Sequence, residues 1–171
     1  MINRMYLNSI DMFVKDTAEL MQATGFNKSN VMGISLGGRI ALELTLQHPD
    51  MVNKLMLVST GARVHHNWLR RLLTTPPPKI FYRGDYPQPR YAFMRQREAS
   101  GDYDATERLK LIKAPTIIMH GKSDKVMPLS MAEEMHRDIK DSELRTFKGG
   151  HLFFLIRERQ RFLDKAERFL S

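Results

Sequence analysis

Asn30-Val31-Met32-Gly33-Ile34-Ser35-Leu36-Gly37-Gly38-Arg39-Ile40-Ala41-Leu42 is the stretch that decides how this chain folds. A short apolar run enters a G-x-S-x-G pattern and leaves it as a mostly apolar helical segment, so a strand becomes a helix across Ser35. Such a turn holds the serine in a strained backbone conformation with its Oγ above the sheet edge. Small neighbours are needed. Gly33 and Gly37 remove Cβ atoms that would collide with the turn and adjacent backbone, and Gly38 lets the helix lie close to the sheet. The helix, read over 39–46, stops at His48-Pro49-Asp50, where proline denies the preceding residue its helical conformation. A pattern this loose arises by chance, and its weight comes from the strand before it and the helix after it.

Working outward, residues 9–23 carry Ile10, Phe13, Val14, Leu20 and Met21 at helical spacing, with Gly25 placed to end the helix. Lys54-Leu55-Met56-Leu57-Val58-Ser59 leaves no room for polar alternation and predicts a parallel strand covered on both faces. Thr116-Ile117-Ile118-Met119-His120-Gly121 predicts a third buried strand. Ser130 and Glu133 form a capping-box pattern before a helix whose apolar face is Met131, Met135 and Ile139. Glu143 to Phe147 predicts a fourth, shorter strand, and a final amphipathic helix carries Phe162, Leu163, Ala166, Phe169 and Leu170. Strand and helix alternate, the signature of an α/β fold with about four parallel strands flanked by helices.

Between 62 and 105 the composition changes to prolines, arginines and aromatics, including Pro76-Pro77-Pro78 and Trp68, Tyr82 and Tyr91. Helical pieces are expected at 66–73 and 90–99, with prolines interrupting anything longer. The segment is expected to be a cap-like insertion within a single domain spanning 1–171. Of the net charge of +8, six units fall between 63 and 113. No nucleic-acid module accompanies them, so a solvated basic surface is expected, with attraction of an anionic substrate as an open option.

At 171 residues and 42% hydrophobic, the chain is sized for one core. It has no cysteine, which excludes disulfides and thiolate metal sites. The opening residues lack a signal peptide's continuous apolar stretch, and no apolar run approaches the ~20 residues that span a bilayer. A soluble cytoplasmic protein without membrane or nucleic-acid partners is the expectation.

A serine hydroxyl needs a histidine to take its proton, and the histidine needs a carboxylate to fix its tautomer. In a parallel sheet these groups belong on the loops at the strands' shared carboxyl edge. Those loops hold Ser35, then Lys122-Ser123-Asp124-Lys125, then Gly149-Gly150-His151. Asp124 is also ordinary turn chemistry, and Asp85, Asp102 and Asp104 are rivals in the variable segment. Among the histidines, His48, His65, His66, His120 and His136 compete with His151, and His120 is placed to support its loop. A metal role for His65 and His66 ranks low, because no thiol or carboxylate ligand lies near them in sequence.

With Gly33-Ile34-Ser35-Leu36-Gly37-Gly38, His120-Gly121-Lys122-Ser123-Asp124 and Gly149-Gly150-His151 in that order, the chain resembles the α/β-hydrolase fold family. The likeness runs from about residue 6 to the C-terminus and is nearest to esterase, lactonase and carbon-carbon hydrolase branches. It implies Ser35 as nucleophile, His151 as general base, Asp124 as its orienting acid and the Leu36 backbone N–H as one oxyanion donor. It implies no cofactor and no metal. Ile34, Trp68, Met127 and Leu152 are candidate contacts to a small acyl substrate.

The family also has an earlier portion that supplies further strands and a second oxyanion N–H, and this chain resembles an N-terminally truncated version. Two consequences are expected: one edge of the 30–34 strand is unpaired and open to self-association, and the oxyanion hole lacks a donor. The function implied is serine hydrolysis of an ester, lactone or related acyl bond. The alternative is an inactive fragment or interaction module that retains the hydrolase C-terminal half.

Overall fold

Ile10, Val14 and Ala18 recur on one face of the first helix, α1 (Ile10–Ala23), and bury it against the body of the protein. Its end is a Schellman turn. Gly25, at φ 80°, donates its N–H to Gln22 O, and the Phe26 N–H reaches Met21 O. The computed structural model describes residues 9–64, 90–156 and 158–171.

After α1 come β1 (Ser29–Ile34) and α2 (Leu36–Gln47), then a 3-10 turn at Pro49–Met51 that leads directly into β2 (Val52–Val58). Next are α3 (Arg90–Ala99), a 3-10 segment at Thr106–Leu111, and β3 (Thr116–Gly121). The chain then forms α4 (Leu129–Asp138), β4 (Ser142–Phe147), the single-turn α5 (Phe153–Ile156) and α6 (Arg159–Leu170). The strands pair in the order β1-β2-β3-β4, and every pairing is parallel. Among the described residues β1 is thus an edge strand, with Met32 exposed.

β3 is buried along its whole length, as a central parallel strand covered on both faces must be. Alternate residues go to opposite faces. Leu55, Leu57 and Ile118 join Val14, Leu42, Leu44 and Met135 in a cluster under α1, α2 and α4. Met56, Val58, Ile117 and Met119 meet Phe147, Phe153, Phe162 and Ala166 on the other face, where the Phe147 and Phe153 rings stack at 4.5 Å. Each fully buried leucine here stabilises the fold by about 1.5–3 kcal/mol.

One predicted local feature does not form. Ser130 is inside α4 rather than capping it, because Pro128, extended at φ −55° and ψ 144°, starts the helix at Leu129. The capping box would need Ser130 in the extended conformation of a cap residue.

The chain leaves the sheet after β2 and returns to it through a narrow neck. Arg63 and Asp104 form an antiparallel bridge, flanked by Val64 N–H to Tyr103 O at 3.1 Å and Ala105 N–H to Ala62 O at 2.8 Å. Part of the predicted insertion is the helix α3, which matches the expectation for 90–99. The 66–73 piece lies outside the described residues.

The neck is tied to α2 by a buried carboxylate. Arg108 donates to both oxygens of Glu43, at 2.7 and 2.9 Å, and Tyr103 Oη and Gln47 Nε2 complete its shell at 3.0 and 2.9 Å. Burial alone would raise the Glu43 pKa. The hydrogen bonds from Arg108, Gln47 and Tyr103 outweigh it and hold the carboxyl below its usual range. Burial, with the Glu43 charge beside it, pushes the Tyr103 hydroxyl far above its ordinary range, so it stays a donor.

Because the folded Glu43 pKa is depressed, its contribution is complete above the unfolded value of ~4.3 and is lost as pH falls through the folded value. The urea midpoint of the wild type is expected to drop between about pH 5 and pH 3, with Glu43→Gln flattening part of that fall. Arg108→Ala, which strips the charged partner from a buried carboxylate, should cost on the order of 3 kcal/mol in the same urea titration.

Candidate active site

Ser35 lies between the last residue of β1 and the first of α2, at φ 54° and ψ −115°, a region that a non-glycine residue enters only under constraint. The constraint is local packing. A Cβ on Gly33 would fall 2.3 Å from Gly37 O, and one on Gly38 would fall 2.5 Å from the Thr60 side chain. Gly37 differs from expectation, since a Cβ there meets nothing within 4 Å and its lack of a side chain is not needed for packing among the described residues. Ser35 N–H donates to Val58 O at 2.9 Å, continuing the sheet into the turn.

Asp124 comes from the loop after β3, and its carboxylate is fully buried and well supplied with donors. Oδ1 accepts the backbone N–H groups of Val126 and Met127 at 2.8 and 2.9 Å. Oδ2 accepts His151 Nδ1–H at 2.8 Å. His120 lies beneath, with Nε2 2.8 Å from Met127 O and 3.5 Å from Asp124 Oδ2. A carbonyl partner places the His120 proton on Nε2. Burial pushes that imidazole's pKa down and keeps it neutral, so it braces the loop as the sequence suggested.

His151 follows Gly149-Gly150 after β4, and Gly149 has φ 124°. Gly121, at the end of β3, has no side chain where the loop crosses it: a Cβ there would fall 2.3 Å from Gly150 O. With Nδ1–H given to Asp124, the Nε2 lone pair of His151 faces Ser35 Oγ at 3.1 Å. Three loops from β1, β3 and β4 thereby form one hydrogen-bonded line, Ser35–His151–Asp124. A neutral imidazole so oriented can take the proton of the serine hydroxyl.

A family model described as the alpha/beta hydrolase fold matches residues 4–82. A hydrolase from Pseudomonas aeruginosa superposes over 95% of this chain with a TM-score of 0.82 at 20% identity, and an esterase from Exiguobacterium antarcticum does so with 0.79 at 25%. The chain shares the α/β-hydrolase fold of these structures. It is 26% identical over 175 aligned positions to the human serine hydrolase BPHL, and 27% over 183 to a putative carbamate hydrolase RutD of Azorhizobium caulinodans. These alignments use 92% and 86% of this chain but 60% and 68% of the relatives. The chain likewise spans 72% of the Pseudomonas aeruginosa structure and 74% of the esterase.

Within this α/β-hydrolase fold, the other residues singled out in the sequence are placed unequally. Leu36 opens α2, so its N–H is one of the first-turn donors that a helix cannot satisfy internally. Ile34 is half-buried beside Ser35. Leu152 is 49% exposed next to His151, whereas Met127 is only 2% exposed, with its sulfur against Arg39 and its backbone serving Asp124 and His120. Trp68 and Tyr82 lie outside the described residues. Tyr91 is exposed, with the Arg95 guanidinium over its ring.

Two hydroxyls at the end of β2 were not singled out in the sequence. Ser59 Oγ donates to His151 O at 2.8 Å, and Thr60 Oγ1 donates to Ser35 O at 2.7 Å. No motif marks them, since their partners are backbone carbonyls on loops far away in sequence. Gly121 was quoted only as part of a motif, and the close passage of the Gly149-Gly150 backbone is what gives it a role.

Gly121→Ala should therefore displace the loop that carries His151. A loss on the order of 3 kcal/mol in urea unfolding is expected, and a crystal structure of the variant should show His151 Nε2 and Ser35 Oγ out of hydrogen-bond range.

Proposed function

We propose that this chain carries the reaction centre of a serine hydrolase that cleaves an ester, lactone or related acyl bond, an esterase-like activity. The observation that carries the reading is the line in which His151 contacts Ser35 Oγ at 3.1 Å and Asp124 at 2.8 Å. Ser35 Oγ adds to the substrate carbonyl carbon as its proton passes to His151 Nε2. Collapse of that adduct expels the alcohol, which takes the proton from His151, and leaves an acyl group on Ser35. Water, deprotonated by His151, then adds to the acyl carbon, and Ser35 Oγ departs with the proton that His151 returns to it, releasing the acid. Asp124 holds the Nδ1–H tautomer and stabilises the imidazolium, and the Leu36 N–H faces the developing oxyanion as one donor. Support also comes from the relatives' names, which include a serine hydrolase, an esterase and an enol-lactonase from Burkholderia xenovorans.

A second reading, an acyl-binding unit without turnover, draws on the single oxyanion donor assigned among the described residues. Loss of one donor lowers turnover ~10²- to 10³-fold.

The purified chain should react covalently with a fluorophosphonate probe at Ser35, as located by peptide mass spectrometry. Ser35→Ala should abolish labelling, and Asp124→Asn should slow it by about 10³- to 10⁴-fold. A probe adduct that persists in Ser35→Ala would remove the assignment of the nucleophile. Labelling without measurable hydrolysis of a p-nitrophenyl ester would favour the second reading.

A further inference from the structure

Ser59 and Thr60 are consecutive, at most 1% exposed, and stand at the carboxyl end of β2, between the strand that delivers Ser35 and the strands that deliver Asp124 and His151. Their hydroxyls point to two different loops. Ser59 Oγ holds the carbonyl of His151 at 2.8 Å and Thr60 Oγ1 holds the carbonyl of Ser35 at 2.7 Å. The backbone between them is pinned to the sheet, with Ser59 N–H donating to Met119 O at 3.0 Å. Ser35 N–H is in turn bonded to Val58 O at 2.9 Å.

Ser59 also has φ 46°, one of two non-glycine residues with positive φ among those described, the other being Ser35 itself. Glycine adopts that conformation at no steric cost, whereas serine there is strained. What glycine lacks is the hydroxyl that reaches His151. Thr60 has a second duty, since its side chain occupies the space a Gly38 Cβ would need and so fixes how closely the first turn of α2 approaches β2.

We infer that Ser59 and Thr60 are positioning residues, a two-hydroxyl clamp at the end of β2 that sets the separation of Ser35 Oγ and His151 Nε2. This rests on the serine-hydrolase reading for its kinetic consequence, though not for its geometry. One side chain ties the base loop to β2 and its neighbour ties the nucleophile turn to the same strand. The 3.1 Å contact between the two reacting side chains is therefore referenced to a single rigid peptide. A displacement of about 1 Å at a reacting pair costs as much as 10²-fold in rate.

The test uses the full chain and two independent readouts, the rate of fluorophosphonate labelling at Ser35 and the downfield proton resonance of His151 Nδ1–H in its bond to Asp124. Ser59→Gly and Ser59→Ala both remove the hydroxyl, but only glycine relieves the backbone strain. Ser59→Gly should have the higher Tm, yet both variants should label about tenfold to a hundredfold more slowly than wild type. In both, the His151 resonance should broaden through faster exchange. Thr60→Val should slow labelling similarly and Thr60→Ser should restore it, since a serine keeps the hydroxyl that valine lacks.

Rates that follow Tm rather than the hydroxyl, with Ser59→Gly labelling as wild type does, would overturn the clamp. So would wild-type rates in Thr60→Val, or an unchanged His151 resonance in the Ser59 variants. A wild-type chain that is not labelled at Ser35 would instead overturn the hydrolase reading. The resonance and its broadening in Ser59→Gly would still decide the clamp.

Discussion

The backbone of Ser35 occupies a conformation that its own side chain disfavours, and the surrounding structure supplies the contacts that keep it there. The missing Cβ of Gly33 lets the carbonyl of Gly37 fold back over the strand, and the missing Cβ of Gly38 brings α2 against Thr60. If either contact opened, the turn would relax and α2 would start from a different place. The buried faces of α2 and the sheet are packed for only one helix position, because Leu42 and Leu44 share one cluster with Leu55 and Leu57. The strained serine and the hydrophobic core therefore constrain each other.

Two buried carboxylates show how the same fold accommodates charge for different ends. Glu43 has three side-chain donors and serves to fasten the neck to α2. Asp124 takes two backbone amides on one oxygen and directs the other to a histidine that is part exposed. Saturating the first carboxylate with fixed partners stabilises a static contact. The second shares one oxygen with a single histidine, the arrangement on which the proposed hydrolase reading rests.

Much of this was legible in the sequence because it follows from short-range chemistry. The apolar run Thr116–Gly121 gave β3 its observed bounds, while β2 begins two residues earlier than read because Pro49–Met51 turns straight into it. The order Ser35, Asp124, His151 followed from placing polar residues on loops that a parallel sheet must bring to one edge. What was not legible depends on distance between loops. Nothing around Ser59 and Thr60 announces that their hydroxyls meet carbonyls 92 and 25 residues away. Met127, a candidate substrate contact, is buried by the turn that aims Asp124, which its sequence neighbours do not announce. The capping box failed for a local reason that competes with its own pattern, the proline two residues before Ser130.

The bridge between Arg63 and Asp104 has a consequence for how this fold can vary. Because the chain departs and returns through two adjacent backbone segments, whatever runs between them is a loop closed at its base by hydrogen bonds of its own. The entropy of closing such a loop grows only as (3/2)RT ln n, about 0.6 kcal/mol for each doubling of length. The neck thus works as a port: segments of very different length or composition can be exchanged there while the sheet register and the hydroxyls at the end of β2 keep their places. Variation in the segment beyond the neck is thus uncoupled, in energy, from the register of the sheet that precedes and follows it.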